Sequence, residues 1–218
     1  MMGVKISVIG VCSFLVWFGN PILCEAFLWD FNEAAQSADW EVISGTGEID
    51  EDAYKLSDAA EALAIAGESN WTDYTITCKA RLTQPGGFNN VAIAFRASLD
   101  GTSEYMFMLE GGRQQAEWWK KIAGVYTEIR VDALKIDTED WFNFTVVVEG
   151  EMFSGYYEGK LISTIEDKDL QNGKVGVRVF GSTAHVDDFE VNGPGIMAST
   201  VEAKGKLTTT WGSIKKAP

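Results

Sequence analysis

The chain is poor in the residues from which many active sites are built. Its 218 residues include one histidine, three cysteines and four prolines. The single histidine, His185, has no G-x-S-x-G sequence to accompany it, which argues against a serine-hydrolase triad. So few nitrogen and sulfur ligands also argue against zinc. We interpret His185 as a polar residue on the last strand and expect function to depend on carboxylate, amide and aromatic side chains.

Positive charge is also scarce. The chain has 18 Lys and Arg against 32 Asp and Glu, a net charge of −14. Such an acidic surface repels nucleic-acid phosphate and anionic lipid. Nucleic acid is therefore excluded as an expected partner, and so is an anionic membrane surface.

The first 26 residues are typical of an export signal. Lys5 precedes an apolar run over 6–18, and CEA at 24–26 supplies the small residues that a signal peptidase reads. We predict cleavage after Ala26 and a secreted protein, periplasmic or extracellular, with no membrane insertion after signal removal. A membrane anchor is the first alternative, although the run is shorter than the roughly 20 apolar residues of a spanning helix. An acylated Cys24 is the second, although PIL at 21–23 lacks the small residues expected there.

Cleavage would leave Cys78 as the one cysteine, so no internal disulfide is expected. In YTITCKARL at 74–82, alternate residues are apolar and the others are polar. This period of two predicts a half-buried strand with Cys78 on the buried face.

Short β-rich runs closed by turn residues continue along the chain. The predicted strands lie near 27–31, 40–43, 53–56, 62–66, 74–82, 91–97, 104–110, 117–122, 127–131, 141–149, 152–157, 160–164, 174–180 and 184–191. Turn sequences such as PGG at 85–87, DG at 100–101 and NG at 172–173 separate them. With no long amphipathic helix, this pattern predicts an all-β fold, a two-sheet antiparallel jelly-roll sandwich over 27–193.

The character of the sequence changes after Gly193. Residues 194–218 contain several lysines and few apolar residues, which is typical of a flexible C-terminal tail. A docking or sorting peptide around TTTWG at 208–212 is the alternative.

The run EIDED at 48–52 is similar to the acidic signature of jelly-roll glucanases. Its final carboxylate is missing, because Asp52 is followed by Ala53 and Tyr54. The run also falls in an early hairpin, whereas retaining hydrolysis needs two carboxyl groups about 5 Å apart on facing positions of a groove. We therefore assign no catalytic residue.

The order of WTDYTITCKARL, NNVAIAFR, WFNFTVVVEG, YYEGKLI, GKVGVRVF and AHVDDFEVNG resembles the concanavalin A-like, laminin-G-like jelly rolls. That resemblance implies binding of a carbohydrate, either a polysaccharide or a glycoprotein glycan. It implies an enzyme only as the second choice. A structural or adhesive surface protein is a third hypothesis.

The chain is also similar to the 3-keto-disaccharide hydrolase domain family. Trp40, WTDY at 71–74, FR at 95–96 and the strand 141–150 match that family's order of motifs. Three of its polar motifs are replaced, by NVAIA at 90–94, YMFMLE at 105–110 and VDDF at 186–189. These replacements favour a non-catalytic module and leave a sugar-cleaving hydrolase or lyase as the alternative.

The candidate ligand site lies in the region 113–126. Sugars stack their C–H faces on Trp and Tyr rings, while Arg, amide and carboxylate groups bond the hydroxyls. One of the two adjacent tryptophans is expected to pack in the core, since neighbouring side chains of a strand face opposite sides. Arg96 is expected beside the site, on the face of Ala92 and Ala94. The predicted ligand-binding residues are Arg96, Arg113, Gln115, Glu117, Trp118, Trp119 and Tyr126.

No cofactor is required, but the jelly-roll resemblance implies that the last strand can share a structural calcium with the first. Asp30 and Asp188 are the candidate ligands. Two carboxylates are only part of the six to eight oxygens that calcium takes, and a solvated acidic pair is the alternative.

Overall fold

The computed structural model describes residues 26–83, 89–138, 140–194 and 196. The predicted signal at 1–26 therefore lies outside the described residues except for Ala26, and so does most of the predicted tail. In the described part, no helix is long and apolar enough to cross a membrane.

The described residues form a sandwich of β-strands with one 3₁₀ turn at Ala34–Asp39. The strands are β1 Phe27–Trp29, β2 Glu41–Ser44, β3 Thr46–Asp50, β4 Ala53–Ser57, β5 Glu61–Ala66, β6 Tyr74–Leu82, β7 Asn90–Ala97, β8 Glu104–Glu110, β9 Gln115–Ile122, β10 Val125–Ala133, β11 Phe142–Glu149, β12 Met152–Tyr157, β13 Lys160–Glu166, β14 Lys174–Phe180 and β15 Thr183–Asn192.

These strands make two antiparallel sheets. The eight-stranded sheet has the order β13-β12-β11-β6-β15-β4-β3, with β1 also paired to β15. The seven-stranded sheet has the order β10-β9-β8-β7-β14-β5-β2. The predicted all-β, two-sheet antiparallel jelly-roll sandwich is confirmed.

Alternation along β6 places the core between the sheets. Tyr74, Ile76, Cys78, Ala80 and Leu82 are buried, while the residues between them are not. The Cys78 thiol is free, and burial raises its pKa well above the ordinary value. The prediction that Cys78 packs as a small apolar residue is confirmed.

Aromatic side chains fill much of the space between the two sheets. Phe95 stacks on Tyr105 with ring centroids 5.4 Å apart, and Phe153 meets both rings from the opposite sheet. Full burial of one such side chain contributes about 1.5–3 kcal/mol. This core holds the central strands of the seven-stranded sheet in place, and those strands carry the groove described below.

β7 and β8 are buried on both faces, unlike the half-exposed strands around them. Their core-facing residues pack against the other sheet. The outward residues Ala92, Met106 and Met108 form a separate cluster covered by Trp119, Tyr126 and Phe180. Large side chains from the neighbouring strands therefore build a second layer on the outer face of the seven-stranded sheet.

The acidic run 48–52 spans the hairpin between β3 and β4, with Glu51 and Asp52 in its turn. Our strand prediction omitted β3. Glu48 and Asp50 both form ion pairs with Lys55, at 3.1 and 3.2 Å, on the edge of the eight-stranded sheet. These two carboxylates are thus engaged with a lysine at a sheet edge.

Candidate functional site

The hairpin of β8 and β9 sets the positions of the candidate side chains. Met106 pairs with Trp119, Met108 with Glu117 and Glu110 with Gln115. Since alternate residues of a strand share a face, Glu117 and Trp119 project outward from the seven-stranded sheet. Trp118 projects to the opposite side, into the core.

The structure separates the two tryptophans as expected. Trp118 is fully buried, its ring lies 4.5 Å from that of Phe107, and its indole N–H donates a hydrogen bond to Ser163 Oγ at 3.0 Å. Trp119 is half-buried on the outer face. Of the two predicted ligand residues, only Trp119 is placed to meet a ligand, and the assignment of Trp118 is corrected because its side chain belongs to the core.

A groove of about 460 Å³ lies on the outer face of the seven-stranded sheet. We call it the front groove. Its lining combines aromatic rings, two carboxylates, one guanidinium and small residues: Ala59, Ala60, Asn90, Met108, Glu110, Arg113, Glu117, Trp119, Tyr126, Phe180 and Gly181. Four of the predicted ligand residues, Arg113, Glu117, Trp119 and Tyr126, meet here.

The carboxylate of Glu117 is the centre of one side of the front groove. Its Oε2 accepts the indole N–H of Trp119 at 2.6 Å, and its Oε1 accepts the side-chain amide of Gln115 at 2.5 Å. Arg113 Nη1 lies 3.7 Å from the same Oε1. Gln115 therefore flanks the groove and acts on it through Glu117, which fixes the orientation of the Trp119 ring.

Glu110 supplies the second carboxylate of the front groove. Its Oε1 accepts the backbone N–H of Gly112 at 2.8 Å and that of Asn89 at 3.3 Å, while its Oε2 accepts the Asn90 side-chain amide at 3.4 Å. Both Glu110 and Glu117 are fully buried in the protein. Each has donors that hold it in one conformation, so the two carboxylates form a fixed, buried floor beneath the groove.

The aromatic wall of the front groove consists of Tyr126 and Phe180, with ring centroids 5.7 Å apart. Arg178 lies behind both rings, 5.9 Å from the Tyr126 centroid and 5.4 Å from that of Phe180. Its guanidinium donates to Glu61 at 2.8 Å and to the Tyr126 hydroxyl at 3.1 Å. The buried guanidinium of Arg178 thus packs against both rings and fixes their positions.

Arg178 also meets Glu104, at 2.6 Å, and both side chains are buried. Burial raises the pKa of Glu104, although the charges of Arg178 and Lys121 oppose that shift. Burial also favours the neutral form of Glu61, but the Tyr126 hydroxyl and the two cations outweigh it and lower the pKa of Glu61. Glu61 and Glu104 thus hold the Arg178 guanidinium in position against the two rings of the aromatic wall.

Arg96 does not reach the front groove, which corrects the prediction. Strict alternation would have placed it on the face of Ala92 and Ala94. Its backbone instead has a φ of 49°, and the pairing of β7 with β14 shifts register at this point, where Lys174 pairs with Ala97 and Gly176 with Ala94. The bulge turns the Arg96 side chain to the inner side of the sheet.

The guanidinium of Arg96 is tied to three separate connections of the chain. It donates hydrogen bonds to the carbonyls of Leu170 at 2.8 Å, Thr72 at 3.0 Å and Gly150 at 2.6 Å, and its carbon lies 5.0 Å from the Phe153 ring centroid. The residue is 2% exposed. Its role is therefore to join loops at one end of the sandwich.

The two predicted calcium ligands lie near each other, where the first strand pairs with the last. β1 pairs with β15 so that Trp29 is opposite Phe189, which brings Asp30 close to Asp188. Asp188 Oδ2, however, accepts a hydrogen bond from Lys79 Nζ at 2.5 Å. Among the residues that the structure describes, no group of three or more His, Cys, Asp or Glu side chains suits a metal. Two carboxylates supply only part of the six to eight oxygens that calcium takes, so the calcium site at Asp30 and Asp188 stays a prediction.

The prediction missed several groove residues, for reasons that differ. Glu110 shares a face with Met108 and Met106 in the alternation of 104–110, so its outward position was readable from the sequence. Asn90 and Phe180 come from β7 and β14, which pair across the centre of the sheet. Sequence patterns along one strand do not reveal which strand will lie beside it.

Comparisons with known proteins agree with this architecture. The family model described as galactocerebrosidase, C-terminal lectin domain matches residues 53–193, a span that includes every residue lining the front groove. No curated protein matches the chain.

Solved structures share the fold at low sequence identity. A carbohydrate-binding module, CBM66, from Bacillus subtilis has a TM-score of 0.68 at 18% identity, over 71% of this chain and 96% of its own. A Bacillus subtilis protein of unknown function with a galectin-like fold has 0.61 at 14%, over 76% and 94%. A Bacillus licheniformis beta-glucanase has 0.58 at 13%, over 78% and 99%. At these identities the likeness shows a shared fold.

Proposed function

This chain belongs to the family of galactocerebrosidase C-terminal lectin domains, and from that premise we propose that it is a secreted carbohydrate-binding module that holds a glycan in the front groove without changing it. The observation that carries the proposal is the meeting of Trp119 and Tyr126 with Glu110, Glu117 and Arg113 in one groove. Ring faces stack on the apolar side of a sugar, and the exposed Arg113 guanidinium bonds its hydroxyls.

The charge of the front groove favours a neutral glycan. Two buried carboxylates and one guanidinium line it, within a chain whose net charge is −14. A uronic or sialic acid would bring its own negative charge toward Glu110 and Glu117, whereas an uncharged sugar would not. The partner is therefore a neutral polysaccharide or the neutral part of a glycoprotein glycan.

An enzyme of the 3-keto-disaccharide hydrolase type is the alternative, and the pair Glu110 and Glu117 is the observation behind it. These residues lie on adjacent strands, with the pair of Leu109 and Ala116 between them in the register. A retaining mechanism needs one carboxyl group to deliver a proton to the leaving group. In this groove both carboxylates are fully buried and accept hydrogen bonds from protein donors, so neither is placed to deliver that proton.

A glycan array followed by titration tests the proposal. The purified protein is screened on neutral and acidic glycans, and the dissociation constant of the best neutral ligand is compared among the wild type, Trp119→Ala and Val125→Ala. Loss of a stacking aromatic at the centre of a site weakens binding by about 10- to 100-fold. Val125 is an exposed apolar residue of the same sheet that does not line the groove, so Val125→Ala keeps the wild-type affinity.

Three outcomes decide among the hypotheses. Retained, chemically unchanged ligand with weakened binding in Trp119→Ala supports the binding module. A cleaved or dehydrated sugar in the product analysis moves the assignment to the enzyme. No binding to any glycan of the array favours a structural or adhesive protein.

A further inference from the structure

A second groove lies on the outer face of the eight-stranded sheet, away from the front groove. It has a volume of about 390 Å³ and is lined by Lys79, Trp141, Asn143 and Asp187. We call it the back groove. On β6 and β11, Lys79 and Asn143 alternate with residues buried between the sheets, so the back groove and the front groove open on opposite faces of the sandwich.

The strand register explains why these four residues meet. Lys79 of β6 is opposite Asn143 of β11 on one side and opposite Asp187 of β15 on the other. One row across three neighbouring strands therefore carries a cation, an amide and a carboxylate. Trp141 immediately precedes β11, which places its ring at the end of this row.

The Trp141 ring is held in place before any ligand arrives. The guanidinium of Arg81 lies 5.1 Å from the ring centroid. Arg81 is itself fixed by an ion pair with Glu51 at 2.7 Å. A half-buried tryptophan with a fixed orientation loses little side-chain entropy when a ligand stacks on it.

Among the residues that the structure describes, two polar side chains of the back groove have no side-chain partner. Within the described part of the chain, Asn143 bonds through its backbone N–H to Glu158, and Asp187 Oδ1 accepts the backbone N–H of Asp188 at 2.7 Å. In that same part, no side chain donates to the Asp187 carboxylate and none engages the Asn143 amide. Lys79, by contrast, is occupied by Asp188.

The environment of Asp187 favours a ligand that donates hydrogen bonds. Its side chain is partly buried, lies next to Asp188 on β15 and lines the groove. Such a carboxylate gains from hydroxyl donors and repels a further negative charge.

We propose that the back groove is a second carbohydrate site, in which Trp141 stacks on a neutral sugar while Asp187 and Asn143 bond its hydroxyls. The module is then bivalent, with one site on each outer face. Because the two sites face opposite ways, one molecule can hold two glycan chains and cross-link them; tighter binding through linked sites would require one chain to reach both.

The test follows the indole N–H signals of ¹⁵N-tryptophan-labelled protein during titration with short neutral gluco-, galacto- and fructo-oligosaccharides. Trp141→Phe assigns the Trp141 signal, and Trp119→Ala removes the principal ring of the front groove. The second site is supported when a sugar shifts the Trp141 signal in both the wild type and Trp119→Ala, and when Asp187→Asn weakens that response at least several-fold. Leu161→Ala is the matched control, because Leu161 is an exposed apolar residue of the same sheet that lies outside the groove.

The second site is overturned if no sugar of the panel changes the chemical shift of the Trp141 indole N–H, whether or not the Trp119 signal shifts. A response of Trp119 alone in that experiment leaves the proposed function of the front groove intact. Conversely, a response of Trp141 with none from Trp119 supports the back groove and removes the front one. Near-identical spectra of unliganded wild type and Asp187→Asn, outside the neighbourhood of residue 187, show that the variant is folded.

Discussion

Replacing Arg96 by methionine should destabilise the fold strongly and leave sugar binding unchanged. Methionine keeps an unbranched side chain that can pack on Phe153, but it removes the donors to the carbonyls of Thr72, Gly150 and Leu170. A hydrogen bond to a charged group contributes about 1.5–3 kcal/mol, and the carbonyls left behind lose their partner. Since the three bonds share one side chain, they are not additive, and we expect a loss of about 3–5 kcal/mol in the free energy of unfolding.

Urea denaturation and thermal melting measure this loss. For a domain of this size, each kcal/mol lowers the melting temperature by about 2–4 °C, so we expect a drop of about 6–20 °C. The dissociation constant of the folded variant for its glycan should equal that of the wild type, because Arg96 lies on the inner side of the sheet.

Arg113→Met is the matched control for Arg96→Met. The Arg113 side chain is 51% exposed and lines the front groove. Its loss removes an exposed partner of Glu117 and should lower the free energy of unfolding by about 1 kcal/mol or less, while weakening sugar binding. The reasoning is refuted if Arg96→Met is as stable as the wild type and binds glycan poorly, since Arg96 would then act as a ligand residue.

Two further predictions concern single aspartates. Hydrogen bonds from the Ser98 hydroxyl and from the Thr102 backbone N–H and hydroxyl lower the pKa of Asp100 from 3.8 to about 2, so its contribution to stability is present above pH 3.8 and is lost as the pH falls toward 2. The difference in unfolding free energy between wild type and Asp100→Asn should therefore shrink over that window. A difference that stays constant with pH would contradict this prediction. If Asp30 and Asp188 hold calcium, adding the ion in excess raises the melting temperature. Chelator then reverses the gain and Asp188→Asn abolishes it, whereas equal melting temperatures with calcium and with chelator remove the metal.

The fold was predictable because its signals are local. The period of two in 74–82 placed Cys78 in the core, and turn residues separated most of the strands correctly. β3 was missed because its sequence, TGEID, has little apolar content and lies on a sheet edge, where burial does not require any. Edge strands are stabilised by backbone pairing and carry polar residues.

The candidate site was predictable only in part, since it depends on contacts between strands distant in sequence. Trp119, Glu117 and Arg113 belong to one hairpin and its turn, and the sequence brings them together directly. Phe180 and Asn90 reach the same groove through the pairing of β14 with β7, in which Phe180 and Asn90 exchange hydrogen bonds of 2.9 Å. The sequence pattern of a single strand does not predict which strands will pair with it in the sheet.

Two bulges account for most of what alternation failed to predict about side-chain direction. At Arg96, a positive φ of 49° takes a guanidinium off the outer face and places it between the sheets, where it ties three connections together. At Asp188, a positive φ of 45° accompanies a register shift between Asp187 and Glu190, so that an acidic pair precedes the buried Phe189. The first bulge removes a charge from the front groove, and the second brings Asp188 to Lys79, which leaves Asp187 beside Trp141 with its carboxylate available to a ligand. In both cases one extra residue in a strand decides whether a charged side chain supports the fold or faces a ligand.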